Sequence, residues 1–176
     1  MEKEVLDKLR KIVRVENVVV GEGIGEEYTH DEALGVKHCL PEVVVKPGKT
    51  EEISSILRLA NKERIPVTPR GGGTNLCGGC VPHLGGILLS LERMNKILEI
   101  DKENHVAVVE AGVVLSSLYR AVEEHGLCHP IYPGEETAKV GGNIATNAGG
   151  MMAVKYGVTR HFVLGRARNR RIHAIH

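Results

Sequence analysis

The sequence predicts an α+β fold made of short helices and strands. Apolar residues make up 42% of the 176 residues, which is enough to fill the core of a domain of ordinary size. Helical and strand-like periodicities alternate along most of the chain, and no repeat, low-complexity block or Ser/Pro-rich linker interrupts them. This pattern favours a small α+β unit over a long doubly wound sheet.

The chain opens with an amphipathic helix over residues 2–14. Its apolar stripe is Val5, Leu6, Leu9 and Ile12. The acidic stretch that follows, residues 21–31, is expected to be a loose surface arm. We therefore treat residues 1–38 as an N-terminal helix and arm.

The next segments predict a buried strand and a second helix. Three valines at 43–45 precede Pro47 and Gly48, which is typical of a short buried strand. Thr50 begins a helix whose first turn carries two acids, at the positive end of the helix dipole. The buried face of this helix is predicted to be Ile53, Ile56, Leu57 and Ala60.

The remaining regular segments are mostly strands. Residues 65–69 form a short strand whose prolines favour an edge position or a strand end. Further strands are predicted at 87–90, 97–100 and 106–110. A helix that Gly126 can end is indicated by the stripe Leu115, Leu118, Tyr119 and Val122.

Composition narrows the possible function. The chain has no Trp, one Phe and four Tyr, so it lacks an aromatic platform for stacking bases, and no nucleic-acid partner is expected. The first residues lack the apolar run of a signal peptide, and no stretch approaches the roughly 20 apolar residues of a membrane span. A cytoplasmic protein with a small-molecule partner is expected. Residues 166–176 contain four arginines and no acid, and we expect an irregular basic tail there.

The cysteines favour free thiols. Four cysteines are a sparse disulfide framework for this length, and in a reducing compartment they stay reduced. Cys77 and Cys80 have the spacing of a metal or redox pair, but no second cysteine pair of matching spacing accompanies them. Two adjacent His and Cys pairs elsewhere in the chain could in principle complete a tetrahedral set: His38 with Cys39, and Cys128 with His129. We nevertheless expect no metal site.

A glycine-rich segment at residues 70–80 is the first chemical signal. Five glycines within nine positions expose backbone N–H groups and let the main chain approach a ligand closely, as a phosphate site requires. Thr74 and Asn75 add side-chain donors, and Arg70 adds a positive charge. The alternative from glycine content alone is a mobile surface loop.

Two familiar phosphate motifs do not fit. A Rossmann loop needs glycine or alanine where Leu76 stands. A Walker A loop ending at residues 48–50 needs a glycine where Val43 lies inside a strand.

A second segment, residues 132–150, is also rich in glycine and amides. Asn143, Thr146 and Asn147 lie among small residues, so we expect their side chains to face a polar ligand. Two such loops can hold one extended ligand.

Three ordered motifs give the chain a specific resemblance. They are residues 69–74 with Gly78 and Gly79, residues 141–150, and residues 155–160. With these motifs, residues 40–165 resemble the FAD-binding domain of the p-cresol methylhydroxylase and vanillyl-alcohol oxidase superfamily. The resemblance is closest to its glycolate oxidase and D-lactate dehydrogenase branch.

The resemblance implies a PCMH-type FAD-binding domain of two small α/β subdomains at residues 39–165. It further implies that FAD oxidises a small 2-hydroxy acid such as glycolate or D-lactate. Non-covalent binding is expected because no histidine lies within residues 70–82. The implied cofactor contacts are Arg70, Gly71, Gly72, Gly73, Thr74, Asn75, Gly78, Gly79, Pro133, Gly134, Gly141, Gly142, Asn143, Ala145, Thr146, Asn147, Gly149, Gly150, Tyr156 and Gly157.

The chain also departs from the family pattern. Lys139 stands where the family has a threonine, which leaves Thr137 out of step, and His161 replaces the usual aspartate. The rest of the family's FAD domain, its substrate cap and the late histidines that hold a metal in some members have no counterpart. We therefore assign no catalytic residue and expect a C-terminally truncated fragment that is inactive alone. The alternatives are a non-catalytic FAD-binding module, an inert truncated product, or a reductase of the cell-wall sugar-nucleotide type.

Overall fold

The computed structural model describes residues 1–168 and 171–174. The chain divides into two compact units, Met1–Met94 and Asn95–His176. Each unit combines helices with its own β-sheet, so the predicted α+β class is confirmed.

A four-stranded sheet forms the centre of the first unit. Its strands are β1 (Val18–Val20), β2 (Val43–Val45), β3 (Val67–Arg70) and β4 (Ile87–Ser90), in the order β1-β2-β4-β3. Strand β1 is antiparallel to β2, whereas β2, β4 and β3 are mutually parallel. The two central strands are wholly buried, and β3 lies at the edge, as its prolines predicted.

Two helices cover this sheet, α1 (Lys3–Val13) and α2 (Thr50–Glu63). Their buried residues share one core with the strands. A carboxylate in the first turn of α2 links the helix to the preceding residues: Glu52 Oε2 accepts a hydrogen bond from the Gly48 amide at 2.7 Å. One buried position was wrongly predicted: Leu57 lies outside the apolar stripe and is exposed.

The acidic stretch after β1 is not a loose arm, and that prediction was wrong. It folds as two 3₁₀ turns, Gly21–Gly23 and Glu26–Tyr28. Ile24 and Tyr28 are buried against the sheet, where they pack with central-strand residues. The apolar pair four residues apart outweighs the three glutamates of these turns, Glu22, Glu26 and Glu27, which are exposed.

The second unit begins with an antiparallel pair, β5 (Ile97–Asp101) and β6 (Val106–Val109). Helix α3 (Leu115–Glu123) packs over it through Leu118 and Val122. Gly126 follows the helix with a φ of 73°, in agreement with its predicted role at the helix end.

Short elements complete the second unit. They are α4 (Val140–Thr146), α5 (Ala153–Tyr156), a 3₁₀ turn at Thr159–Phe162, and the antiparallel strands β7 (Gly165–Arg168) and β8 (Arg171–Ala174). The irregular tail predicted for residues 166–176 was therefore wrong where β7 and β8 lie, because paired backbones form a hairpin without an apolar run. Residues 169, 170, 175 and 176 lie outside the described part. In the part described, no helix is long and apolar enough to span a bilayer.

Candidate cofactor site

The glycine-rich segment of the first unit, residues 70–80, follows β3 at the carboxyl ends of the parallel strands. Ligands of α/β sheets commonly bind at this edge. Within the described residues, none of the backbone N–H groups of residues 71–76 has a hydrogen-bond acceptor. The next amide, that of Cys77, donates to Asn75 Oδ1 at 3.2 Å. Six consecutive free amides make this segment a donor surface suited to an anion.

Position 73 requires glycine for two reasons, its backbone conformation and the side chain packed against it. Its φ is +78°, and a Cβ there would run into the guanidinium group of Arg70. Gly72 beside it is exposed, whereas Gly73 and Gly78 are buried. The side of Gly73 that lacks a side chain therefore faces the protein.

Arg70 lies buried beneath this segment, with 7% of its surface exposed. Its Nη1 donates to the carbonyl oxygen of His30 at 2.6 Å and lies 3.6 Å from the sulfur of Cys80. No carboxylate of the described residues forms an ion pair with it. The guanidinium is thus held by neutral groups of the chain.

The two cysteines of the segment have different surroundings. Cys77 is exposed, whereas Cys80 is buried with its sulfur 3.7 Å from Asp31 Oδ2. Burial raises the pKa of the Cys80 thiol; Asp31 also raises it, and Arg70 acts in the opposite direction. All four cysteines are free thiols, and the described part of the chain holds no cluster of three metal-ligating side chains.

The second candidate segment, residues 132–150, contains helix α4 and is not the continuous loop that the sequence indicated. The first two amides of the helix donate to carbonyl oxygens of neighbouring residues, Val140 to Val113 at 2.9 Å and Gly141 to Ala111 at 2.8 Å. Among the described residues, the Gly142 amide has no acceptor. It is the free donor of this first turn.

The adjacent glycines of α4 face different surroundings. A Cβ on Gly141 would lie 2.8 Å from both the Cβ and the carbonyl oxygen of Ala111. A Cβ on Gly142 would meet nothing within 4 Å. Gly141 is therefore needed for packing, whereas the open side of Gly142 leaves room for a ligand.

The polar side chains of this segment are less open than expected. Asn143 is buried, and its Nδ2 has no hydrogen-bond partner in the described part of the structure. Thr146 Oγ1 donates to the carbonyl of Gly142 at 3.0 Å. Asn147, with a φ of 52°, ends the helix, and its Oδ1 accepts from the Arg160 amide at 3.0 Å. The orphaned Asn143 donor is the one buried polar atom here that calls for an external acceptor.

Two further glycines fix close contacts inside the second unit. A Cβ on Gly150, whose φ is +130°, would run into the Tyr132 carbonyl, so the two ends of segment 132–150 touch. A Cβ on Gly157 would run into the ring of His161. Tyr156 is exposed, and the Lys155 ammonium lies 4.7 Å from the centre of its ring.

Sequence reasoning missed one group of residues around the first segment. Residues 30–32 contact it through the His30 carbonyl, the Asp31 carboxylate and the Glu32 amide, which donates to the Asn75 carbonyl at 3.0 Å. Two of these three contacts use backbone atoms, which have no sequence signal.

Comparisons with known proteins identify the family of the chain. The family model described as "FAD binding domain" matches residues 41–166. The chain is 48% identical over 160 residues to a D-lactate dehydrogenase of Anaerostipes hadrus and 42% identical over 164 residues to a glycolate oxidase subunit of Bacillus subtilis. These matches cover 91% and 93% of this chain but 34% and 35% of the relatives, so the chain spans about a third of their length.

A solved structure of p-cresol methylhydroxylase with substrate bound shows the same fold. It aligns with a TM-score of 0.70 at 25% sequence identity, over 82% of this chain and 29% of that one. The resemblance drawn from the three sequence motifs is confirmed by these matches.

Proposed function

The chain belongs to the family of FAD-binding domains, and we propose from that premise that it is the FAD-binding part of a flavin-dependent oxidoreductase acting on a small 2-hydroxy acid. The substrate class is supported by the D-lactate dehydrogenase and glycolate oxidase among its relatives. The four free thiols support a cytoplasmic location, because thiols persist in reducing compartments.

The observation that carries the proposal is the row of six free amides at residues 71–76. A diphosphate is an anion with several acceptor oxygens, and consecutive main-chain N–H groups bind such groups well. In the second unit, the free Gly142 amide and the orphaned Asn143 Nδ2 are donors of the same kind. The residues present therefore fit FAD.

We propose that the glycine-rich residues of each unit contact FAD, with Arg70 placed among the supporting residues. When bound, the flavin supplies the acceptor for the two electrons of the alcohol carbon. The chain's own residues bind the cofactor, orient it and limit its mobility. The proposed contacts are Gly71, Gly72, Gly73, Thr74, Asn75, Gly78 and Gly79 in the first unit, and Pro133, Gly134, Gly141, Gly142, Asn143, Ala145, Thr146, Asn147, Gly149, Gly150, Tyr156 and Gly157 in the second.

A binding experiment with three ligands tests this function. The apoprotein is titrated with FAD, with ADP and with riboflavin, and FAD binding is followed by quenching of flavin fluorescence. We expect FAD to bind and ADP to compete for its site, whereas riboflavin, which has no diphosphate, binds more weakly. Equal affinity for riboflavin and FAD would show that the free amides do not hold the diphosphate.

We also propose that the flavin is held without a covalent bond. Precipitation of the loaded protein with acid should release the yellow colour into the supernatant. Flavin that stays in the pellet would show a covalent link, and Cys77 would be its first candidate because its sulfur is exposed while that of Cys80 is buried.

A further inference from the structure

Three contacts tie the glycine-rich segment of the first unit to residues 30–32. The His30 carbonyl accepts from Arg70 Nη1 at 2.6 Å, the Asn75 carbonyl accepts from the Glu32 amide at 3.0 Å, and Asp31 Oδ2 lies 3.7 Å from the Cys80 sulfur. They fall at the beginning, middle and end of segment 70–80. We name residues 30–32 the loop brace.

The brace compensates for a weakness of the segment. Residues 71–76 have no hydrogen bonds from their own amides within the described chain, and three of them are glycines with large conformational freedom. Without external contacts such a segment samples many backbone conformations, and each ligand-binding event then carries the cost of ordering it. A brace that orders the segment beforehand strengthens binding.

Arg70 makes the shortest of the three contacts with the loop brace. Its guanidinium is buried, donates to the His30 carbonyl and fills the space that Gly73 leaves free. The planar guanidinium, with several donors in a fixed fork, reaches the His30 carbonyl while also lying against the side of Gly73 that has no side chain. Arg70 is therefore placed to fix the path of the backbone, with its Nη1 donor already committed to the brace.

We propose that Arg70 is a positioning residue that acts through the loop brace to hold the amides of residues 71–76 in the curvature that binds the FAD diphosphate. This inference rests on the proposed function. It assigns Arg70 a role different from the direct contact with the diphosphate that the sequence implied.

Two substitutions separate positioning from charge. Arg70→Lys keeps the positive charge but loses the planar fork, and Arg70→Gln loses both. We expect both variants to bind FAD about ten-fold more weakly or worse, while their affinity for riboflavin stays within about two-fold of the wild type. Arg58→Gln, on the exposed face of α2, is the matched control and should bind FAD as the wild type does.

The lysine variant decides the outcome. If Arg70→Lys binds FAD like the wild type, Arg70 acts by its charge and the proposal is overturned. Equal loss of FAD and riboflavin binding would also overturn it, because a general loss of structure does not distinguish the diphosphate.

A second measurement needs no cofactor. Leu76 is 74% exposed within the segment, and a leucine-directed protease should cut after it faster in both Arg70 variants than in the wild-type apoprotein. Leu57, on the exposed face of α2 in the same unit, reports general unfolding of that unit, and its cleavage should not change. Equal acceleration at both sites would contradict a local brace.

Asp31→Asn keeps Arg70 and a side-chain oxygen that can still accept from the Ala33 amide, but it weakens the contact with Cys80, so it tests the brace even if the Arg70 variants do not fold. We expect faster cleavage at Leu76 and weaker FAD binding. Wild-type behaviour in both would overturn the proposal. A wild-type chain that does not bind FAD would refute the proposed function, whereas the protease experiment would still report on the brace.

Discussion

Gly141 and Gly142 are neighbours in α4, but a methyl group has opposite consequences at the two positions. The Cβ of Gly142→Ala meets no atom of the chain, and alanine stabilises a helix relative to glycine by about 0.5–1 kcal/mol. We expect Gly142→Ala to unfold at the same or a higher temperature, yet to bind FAD about ten-fold more weakly or worse, because the methyl group occupies the ligand's space. Thermal unfolding and FAD titration measure the two effects.

Gly141→Ala is the matched control for this experiment. Its Cβ would lie 2.8 Å from two atoms of Ala111, so this variant should be less stable than the wild type before any ligand is added. If Gly142→Ala binds FAD with wild-type affinity, the cofactor does not approach the open side of this glycine.

The two thiols at 77 and 80 should differ sharply in reactivity. The thiolate is the reactive form; burial disfavours it at Cys80 by raising the pKa of that thiol, and Cys77 is exposed. At mildly alkaline pH we expect iodoacetamide to modify Cys77 quickly and Cys80 slowly, as peptide mass spectrometry would show. Equal rates in the unfolded protein are the control, and fast labelling of Cys80 in the folded protein would contradict its burial.

The raised pKa of the Cys80 thiol also makes the free energy of unfolding depend on pH. A thiol whose pKa is higher in the folded than in the unfolded state contributes stability below the unfolded pKa, and this contribution is lost as pH rises through the folded pKa. Cys80→Ser should therefore flatten part of the alkaline decline in the free energy of unfolding. Denaturant titrations from neutral to alkaline pH would show no change of slope if the thiol does not contribute.

At the residue scale, the sequence located donors better than it located their partners. The glycine cluster at 70–80 predicted a surface of backbone N–H donors, because glycine content can be read directly from the sequence. The buried state of Arg70 was not visible, since its partner is the backbone carbonyl of His30, forty residues away. Asn143 was expected to be open because its neighbours are small, but the helix turns its side chain inward.

At the scale of elements, α2 offers a matched pair of neighbouring apolar residues. Ile56 is fully buried in the core of the first unit, whereas 36% of Leu57 is exposed. We expect Ile56→Ala to lower the free energy of unfolding by about 2–5 kcal/mol and Leu57→Ala to change it by about 0.5 kcal/mol or less. Urea titrations measure both, and similar losses would place Leu57 in the core, as the sequence pattern had indicated.

Elements with clear periodicity were predictable, and elements set by context were not. The valine strand β2 and the amphipathic helices α1 and α2 were recognised from their patterns. Helix α4 was missed because two of its seven residues are glycines, which have low helix propensity. Its first turn is held instead by hydrogen bonds from Val140 and Gly141 to residues outside the helix.

At the scale of the whole molecule, the three motifs predicted the family, the alternating helix and strand patterns predicted the α+β class, and the resemblance implied two small subdomains, but the boundary between the two units had no sequence signal. The chain passes from the first unit to the second between Met94 and Asn95, where the sequence has no proline, glycine or serine run that signals a boundary. Helix α1 belongs to the core of the first unit, although its sequence suggested only a preceding helix and arm. Packing of α1 on strands distant in sequence is a tertiary effect that local patterns do not report.

The chain spans only part of its relatives' length, and this bears on whether it can hold a substrate beside the flavin. Hydride transfer requires the substrate carbon to be held within about 3–3.5 Å of its acceptor in an aligned pose. The matched segment covers only about a third of the D-lactate dehydrogenase and glycolate oxidase relatives, and the proposed cofactor donors, which are backbone amides together with Asn143 Nδ2, are suited to a diphosphate. Arg70, whose guanidinium is buried under the glycine segment, is not free to hold a substrate carboxylate.

We therefore expect the 176-residue chain to bind FAD without oxidising D-lactate or glycolate. The measurement is anaerobic mixing of the FAD-loaded chain with each acid while the absorbance of oxidised flavin is followed in a single turnover. Photoreduction of the same sample is the control, because it shows that the bound flavin accepts electrons. L-lactate serves as the stereochemical control. Bleaching by D-lactate but not by L-lactate would demonstrate a chiral substrate site within these residues, and it would extend the proposed function from cofactor binding to catalysis by this chain alone.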